Sequence, residues 1–246
     1  MSFNNFFNEK IILPFSDTLL GNSIYSDLKF LMKSQWWSVD ELREYQNEKL
    51  RALIKHAYEN VPYYNELFHS LNLTPDDIQT SNDLYKLPIL TKEIIRENIK
   101  NKKIIAKNIP TKKMILCSSS GSTGEPLQYY QTKDAESFNK ACAIRGWYWM
   151  GYRLGDRYIK LSQNPRPKLK RIQDKVNNCL YLPVKQLTDE NFNIIVKSIN
   201  NYKPVIIRSY PDPLFFLVQF IIKNNIKIYS PKAIATTGNV LSKEYR

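Results

Sequence analysis

The chain has 246 residues, 43% of them hydrophobic and 24% charged, which is enough for a sizeable core and excludes a disordered polyelectrolyte. Its 3 cysteines, Cys117, Cys142 and Cys179, are odd in number and widely spaced, so neither a disulfide framework nor a zinc site is indicated and a reducing cytoplasm fits best. Net charge is +13, with the excess in residues 86–113 and 153–175, which suits nucleic acid, an anionic surface or an acidic substrate, or is simply a solvated lysine-rich surface.

Residues 1–20 are loosely patterned, and Pro14, Ser16 and Asp17 interrupt any apolar stretch of the signal-peptide kind. Ser38-Val39-Asp40-Glu41 reads as a capping box, after which Leu42, Tyr45, Leu50, Leu53, Ile54 and Ala57 recur at helical spacing. The spacing predicts a long helix that Val61-Pro62 stops, because proline disfavours helix for the residue before it. A short helix over residues 64–71 is expected next, and Thr91 is the N-cap of a further helix over 92–100. The two histidines, His56 and His69, point to no serine hydrolase, since the loop serines lack the G-x-S-x-G elbow that such a nucleophile needs.

Cys117-Ser118-Ser119-Ser120-Gly121-Ser122-Thr123-Gly124-Glu125-Pro126-Leu127 separates two predicted strands, Met114-Ile115-Leu116 and the alternating run from Leu127 to Thr132. Glycines let successive backbone N–H groups turn onto one ligand, and hydroxyls add donors that a core does not need. The composition therefore fits a phosphate cradle as well as a flexible hairpin. It is neither a Walker A loop, having no Gly-Lys-Ser/Thr, nor G-x-G-x-x-G. A helix behind Thr132 would carry Phe138, Ala141, Cys142, Ile144, Tyr148 and Trp149 on an apolar face. Strands are expected over residues 157–161 and 179–184, then a helix capped by Thr188 with Phe192, Ile195, Val196 and Ile199 inward. Pro204 opens the strand Val205-Ile206-Ile207, residues 214–224 form a helix buried on all sides, and a last strand over 232–236 ends in Thr237-Gly238. The apolar run inside that helix is less than half the length needed to cross a bilayer, so no transmembrane segment is expected. Strand, helix and strand with fully apolar strands predict a βαβ unit and a parallel sheet.

Ser119-Ser120-Gly121-Ser122-Thr123-Gly124-Glu125-Pro126-Leu127 resembles the phosphate-binding signature of the adenylate-forming enzymes, which include acyl-CoA synthetases, peptide-synthetase adenylation domains and luciferases. Ala57-Tyr58-Glu59-Asn60-Val61-Pro62-Tyr63-Tyr64, Leu87-Pro88-Ile89-Leu90-Thr91-Lys92, Gly151-Tyr152-Arg153-Leu154-Gly155-Asp156-Arg157 and Thr236-Thr237-Gly238-Asn239-Val240-Leu241 resemble the phenylacetate-CoA ligase branch and its CapK-type relatives from capsular polysaccharide loci. The resemblance implies an AMP-forming acid ligase, in which a carboxylate attacks the α-phosphate of ATP and coenzyme A accepts the acyl group in many relatives. It implies Ser119, Ser120, Gly121, Ser122, Thr123 and Gly124 at the β- and γ-phosphates with Mg²⁺ as counterion, Thr237 and Gly238 beside the adenine, and Tyr210 beside the acid. Thr237-Gly238 also reads as a plain turn after a strand. No residue is assigned a catalytic role. Many relatives have lysine where this chain has Glu125, and a carboxylate aimed at a triphosphate would repel it.

The implied fold is α/β: a helical N-terminal region over residues 1–110, then the first part of an adenylate-forming large domain with mixed and parallel sheets over 111–246, the small C-terminal domain missing. The expected partners are a small carboxylic acid and, if the gene is split, the missing half, with no DNA or RNA. A chain of this extent is expected to be an N-terminal fragment with little ligase activity by itself. A basic module for nucleic acid or an anionic surface, without catalysis, is the alternative that the charge supports.

Overall fold

The computed structural model describes residues 3–119, 126–184 and 186–245. Its helices are α1 (Phe3–Phe7), α2 (Leu13–Leu20), α3 (Ile24–Ser34), α4 (Val39–Asn60), α5 (Pro62–Ser70), α6 (Lys92–Lys100), α7 (Lys133–Trp149), α8 (Lys168–Val176), α9 (Asp189–Tyr202) and α10 (Pro211–Lys223). The strands are β1 (Met114–Ser118), β2 (Gln128–Thr132), β3 (Tyr158–Ser162), β4 (Cys179–Pro183), β5 (Ile206–Ser209) and β6 (Ala233–Thr236). The fold is mixed α/β, and the chain divides into a helical unit, residues 21–140, and a sheet unit, residues 1–20 with 141–246.

In the helical unit the expected caps are present. Ser38 Oγ accepts from Glu41 N–H at 3.2 Å while a Glu41 carboxylate oxygen accepts from Ser38 N–H at 2.7 Å, so two of the donors that a helix start leaves open are satisfied reciprocally. Val61 is extended, φ −114° and ψ 108°, which ends α4, and Pro62 becomes the first residue of α5, where its missing N–H costs nothing. Ile54, Phe68 and Ile78 form the buried centre of this region, with Leu50, Tyr58, Leu73 and Leu87 packed around them. The antiparallel hairpin β1–β2 runs in register from Met114 opposite Thr132 to Ser118 opposite Gln128.

The sheet unit is built on four parallel strands in the order β4-β3-β5-β6. Side chains alternate across a strand. Ile159, Leu161 and Ile207 therefore face a core made with Phe192, Ile195, Val196, Ile199, Leu217 and Phe220 of α9 and α10. The other face carries Tyr158, whose ring meets those of Trp147 and Tyr152 at centroid distances of 5.2 and 5.8 Å. Burial pushes the Tyr152 and Tyr158 hydroxyls above the usual tyrosine range, so both stay neutral.

Three expectations are corrected. On α7, Ala141 and Tyr148 are buried but Phe138 and Trp149 are exposed, because a helix of this length presents only part of its apolar arc to a neighbour. α10 starts at Pro211 instead of Leu214, since proline suits the first turn, and it is not buried all round: Phe216, Val218 and Ile222 are exposed. The loosely patterned start is helical, with α1 and α2 joined through a π-helical turn over Asn8–Ile12.

These burial differences set the expected cost of truncation. Ile199→Ala, at a fully buried position, should destabilise the chain by about 2–5 kcal/mol in urea unfolding, whereas Trp149→Ala, at a residue 67% exposed, should leave the midpoint nearly unchanged.

Candidate functional site at the carboxyl ends of β5 and β6

Parallel sheets bind ligands outside the carboxyl ends of their strands, where the connections diverge. Here the order reverses between β3 and β5: the chain leaves β3 through α8 to β4 on one side and returns through α9 to β5 on the other. Beyond the end of β5, Ser209 leads into Tyr210, which is extended and immediately precedes the first turn of α10. Beyond the end of β6, Thr237 N–H donates to the Ser209 carbonyl at 3.1 Å, which carries the β5–β6 ladder one step further and sets Gly238 beside Tyr210.

Gly238 is held there for two reasons. Its φ is +91°, a conformation that side-chain-bearing residues avoid, and a Cβ would lie 2.6 Å from Cδ1 of Tyr210. The tyrosine ring therefore rests directly on the glycine backbone. Three residues expected at the site from sequence, Tyr210, Thr237 and Gly238, are thus brought into one cluster. Ser209, which no sequence signal marked, lies under them: it is fully buried and, among the described residues, its Oγ has no hydrogen-bond partner. The first turn of α10 has proline at residues 211 and 213, so it lacks the run of free N–H groups that makes a helix start an anion cradle. The cluster offers a flat aromatic and peptide wall, suited to a planar or apolar group.

Sequence reasoning also missed a pair of cations. Lys160 and Arg208 are register partners on β3 and β5, facing away from the α9–α10 core. Lys160 Nζ lies 6.0 Å from the centroid of Tyr181, and the Arg208 guanidinium 5.8 Å from that of Trp147. The nearby carboxylate of Asp174 is committed to Arg166 through two hydrogen bonds. Burial, and then the charges of Arg208 and Arg166, hold the Lys160 ammonium below the usual lysine value, so an anion placed here would meet two incompletely neutralised cations. The strand alternation was legible in Tyr158-Ile159-Lys160-Leu161; the pairing of Lys160 with Arg208 depends on register and was not.

In the helical unit, Ser119 closes the base of the serine-glycine loop. Its N–H donates to the Leu127 carbonyl at 2.9 Å, and its Oγ accepts from Leu127 N–H at 2.8 Å, which leaves the hydroxyl proton free to donate. Ser120, Gly121, Ser122, Thr123, Gly124 and Glu125 lie outside the described residues. A cleft of about 570 Å³ lies at the opposite, amino ends of the parallel strands, lined by Asn4, Asp156, Arg157, Asn178 and Lys203.

No protein-family model matches the chain. It is 39% identical over 89 residues to the phenylacetate-coenzyme A ligase of Escherichia coli K12, covering 36% of this chain and 20% of that protein. To the Pseudomonas putida protein of the same name it is 36% identical over 121 residues, 49% of this chain and 27% of that one. The match thus spans about a fifth to a quarter of these relatives' length. Among solved structures, 2-hydroxyisobutyryl-CoA ligase in complex with 2-HIB-AMP and CoA in the thioesterification state superposes with a TM-score of 0.58 at 15% identity, over 77% of this chain and 41% of that one. An open conformation of the same ligase gives 0.55 at 14%, over 76% and 45%. The chain has the fold of part of such a ligase.

The contact of Tyr210 with Gly238 is open to a double-mutant cycle. Gly238→Ala should cost about 1–3 kcal/mol of unfolding free energy, from the backbone strain and the clash with the ring. Part of that cost should disappear in a Tyr210→Ala background, because the clash goes while the strain stays.

Proposed function

We propose that this chain forms the nucleotide- and acid-binding part of an AMP-forming acid ligase of the phenylacetate-CoA ligase kind. The observation that carries the reading is the seating of Tyr210 on Gly238 at the carboxyl ends of β5 and β6, since it unites the residues that the resemblance assigns to adenine and acid at the end where parallel sheets bind ligands. The similarity to phenylacetate-coenzyme A ligases and the shared fold support it.

In this reading Thr237 and Gly238 present backbone to the adenine, and Tyr210 walls the acid. Ser119, Ser120, Gly121, Ser122, Thr123 and Gly124 would hold the β- and γ-phosphates, and Mg²⁺ bound with the nucleotide would supply their counter-charge. The hairpin register and the Ser119–Leu127 hydrogen bonds support that assignment, because they pin the loop's two ends together and leave the Ser119 O–H to donate. The chemistry is an in-line displacement: a carboxylate oxygen bonds to the α-phosphorus as its bond to pyrophosphate breaks. The thiolate of coenzyme A then takes the acyl group and AMP leaves. Such a reaction needs positioning and charge stabilisation more than a nucleophilic side chain. The CapK-type branch, a cytoplasmic location and a small carboxylic acid substrate belong to the same proposal. Full turnover is expected from a longer assembly, since the chain corresponds to 41% to 45% of the ligase chains that share its fold.

Calorimetric titration with Mg·ATP tests the reading. Saturable binding is expected, and Ser122→Ala with Thr123→Ala should weaken it by about 100-fold or more, as hydrogen bonds to charged groups are worth about 1.5–3 kcal/mol each. Absence of saturable binding by the folded chain, or an unchanged affinity in the folded double variant, would overturn it. Glu125→Lys tightens ATP binding if that carboxylate faces the phosphates. ATP–pyrophosphate exchange across aryl, amino and fatty acids, by the complete assembly, identifies the substrate.

A further inference from the structure

The sheet unit contains two helical stretches that are inside out. Along α1 and α2, Asn5 and Asp17 are buried, whereas Phe3 is 84% exposed and Phe7, Ile11, Phe15 and Leu19 also face solvent. α8 repeats the arrangement: Asp174 is buried against Arg166, while Ile172 and Val176, one turn apart, are 63% and 65% exposed. The polar sides of the two stretches share one acceptor. Asn4 of α1 and Asn178, just past α8, both donate a side-chain N–H to the Gly155 carbonyl, at 3.1 and 2.8 Å.

Charge is placed with α8. Lys168, Lys170, Arg171 and Lys175, all exposed, surround Ile172 and Val176 on a nine-residue helix. The sheet unit as a whole holds 19 of the 36 Lys and Arg against 8 of the 23 Asp and Glu, while the helical unit is nearly balanced with 17 against 15.

We propose that α8 and the exposed sides of α1 and α2 dock on a membrane surface that carries anionic lipid. Exposed apolar side chains would enter below the headgroups, and the α8 cations would lie at the level of the lipid phosphates and carboxylates, which is how an interfacial amphipathic helix binds. Among the described residues no helix is long and apolar enough to cross a membrane, so the contact is peripheral. A nucleic acid would engage the lysines but offer nothing to Phe3, Ile172 and Val176. A second copy would cover the apolar side chains but would bring the same cations against themselves.

Flotation of the purified 246-residue chain with phosphatidylcholine vesicles, and with equimolar phosphatidylcholine and phosphatidylserine vesicles, tests it. The chain should float with the anionic vesicles alone, and high salt should release it. Ile172→Glu with Val176→Glu, or Phe3→Glu with Phe15→Glu, should abolish flotation, and Lys168→Glu with Lys175→Glu should weaken it at least about tenfold, with the circular dichroism spectrum retained. The lysine pair, being polar and exposed, keeps the test valid if an apolar variant misfolds. Failure of the unaltered chain to float, equal flotation on neutral vesicles, or retention by the charge-reversed variants would overturn the proposal. So would a dimer in light scattering that the same apolar substitutions dissolve, or an RNA shift that they leave untouched, which would assign the face to a second copy or to nucleic acid.

Discussion

The pairing of β3 with β5 is the contact on which the sheet unit depends. Tyr158 opposite Ile206, Ile159 opposite Ile207 and Lys160 opposite Arg208 join two strands separated in sequence by α8, β4 and α9, and β3 also carries β4 on its other side. Ile159 is fully buried as a result. A slip of β3 by one residue would turn Ile159 out of the α9–α10 core and Lys160 into it, and a slip of β5 would do the same with Ile207 and Arg208, an exchange of apolar burial for buried charge that no local gain offsets. The register is therefore set by the core, and the meeting of Tyr210 with Gly238 beyond β5 and β6 is set by the register.

That register divides the labour between the two faces of one sheet. One face is sealed by α9 and α10 and supplies stability, each fully buried large apolar side chain contributing about 1.5–3 kcal/mol relative to exposure. The other face is polar at its centre, with Lys160, Arg208, Tyr181 and the Arg166–Asp174 pair, and aromatic towards its start, with Trp147, Tyr152 and Tyr158. At the ends of β5 and β6, Thr237 and Gly238 expose backbone beneath Tyr210. A ligand there would meet fixed groups whose positions come from strand pairing and not from a mobile loop.

The surface of the same unit departs from the usual rule that helices turn their apolar side inward. Leaving a phenylalanine such as Phe3 in water forgoes about 1.5–3 kcal/mol that burial would supply, while Asn5 and Asp174 occupy buried positions that apolar residues could take. Both polar residues have partners there: Asn5 donates to Asp156 at 2.8 Å, and Asp174 accepts from Arg166. At these two positions the inversion is thus chemically satisfied on its inner side.

Local signals in the sequence decided most of the secondary structure, because they are short-range. The Ser38-to-Glu41 box, the stop at Val61-Pro62, the caps at Thr91 and Thr188, the strands on either side of the serine-glycine loop and the βαβ order around residues 205–236 all depend on neighbours a few residues away. Tyr210, Thr237 and Gly238 were legible one at a time, through resemblance and turn chemistry. That Tyr210 rests on Gly238, that Lys160 lies opposite Arg208, and that Ser209 is buried all depend on contacts between strands tens of residues apart. The helices of residues 3–20 were illegible for the opposite reason: their polar residues face inward, so a pattern search that assumes an apolar inner face finds no helix to place. The sequence by itself determined where elements begin and end, since capping and proline chemistry act within a turn of chain. Only the tertiary structure decided which side chains meet across strands and which apolar side chains are exposed, since strand register and packing partners are set by burial across the whole unit.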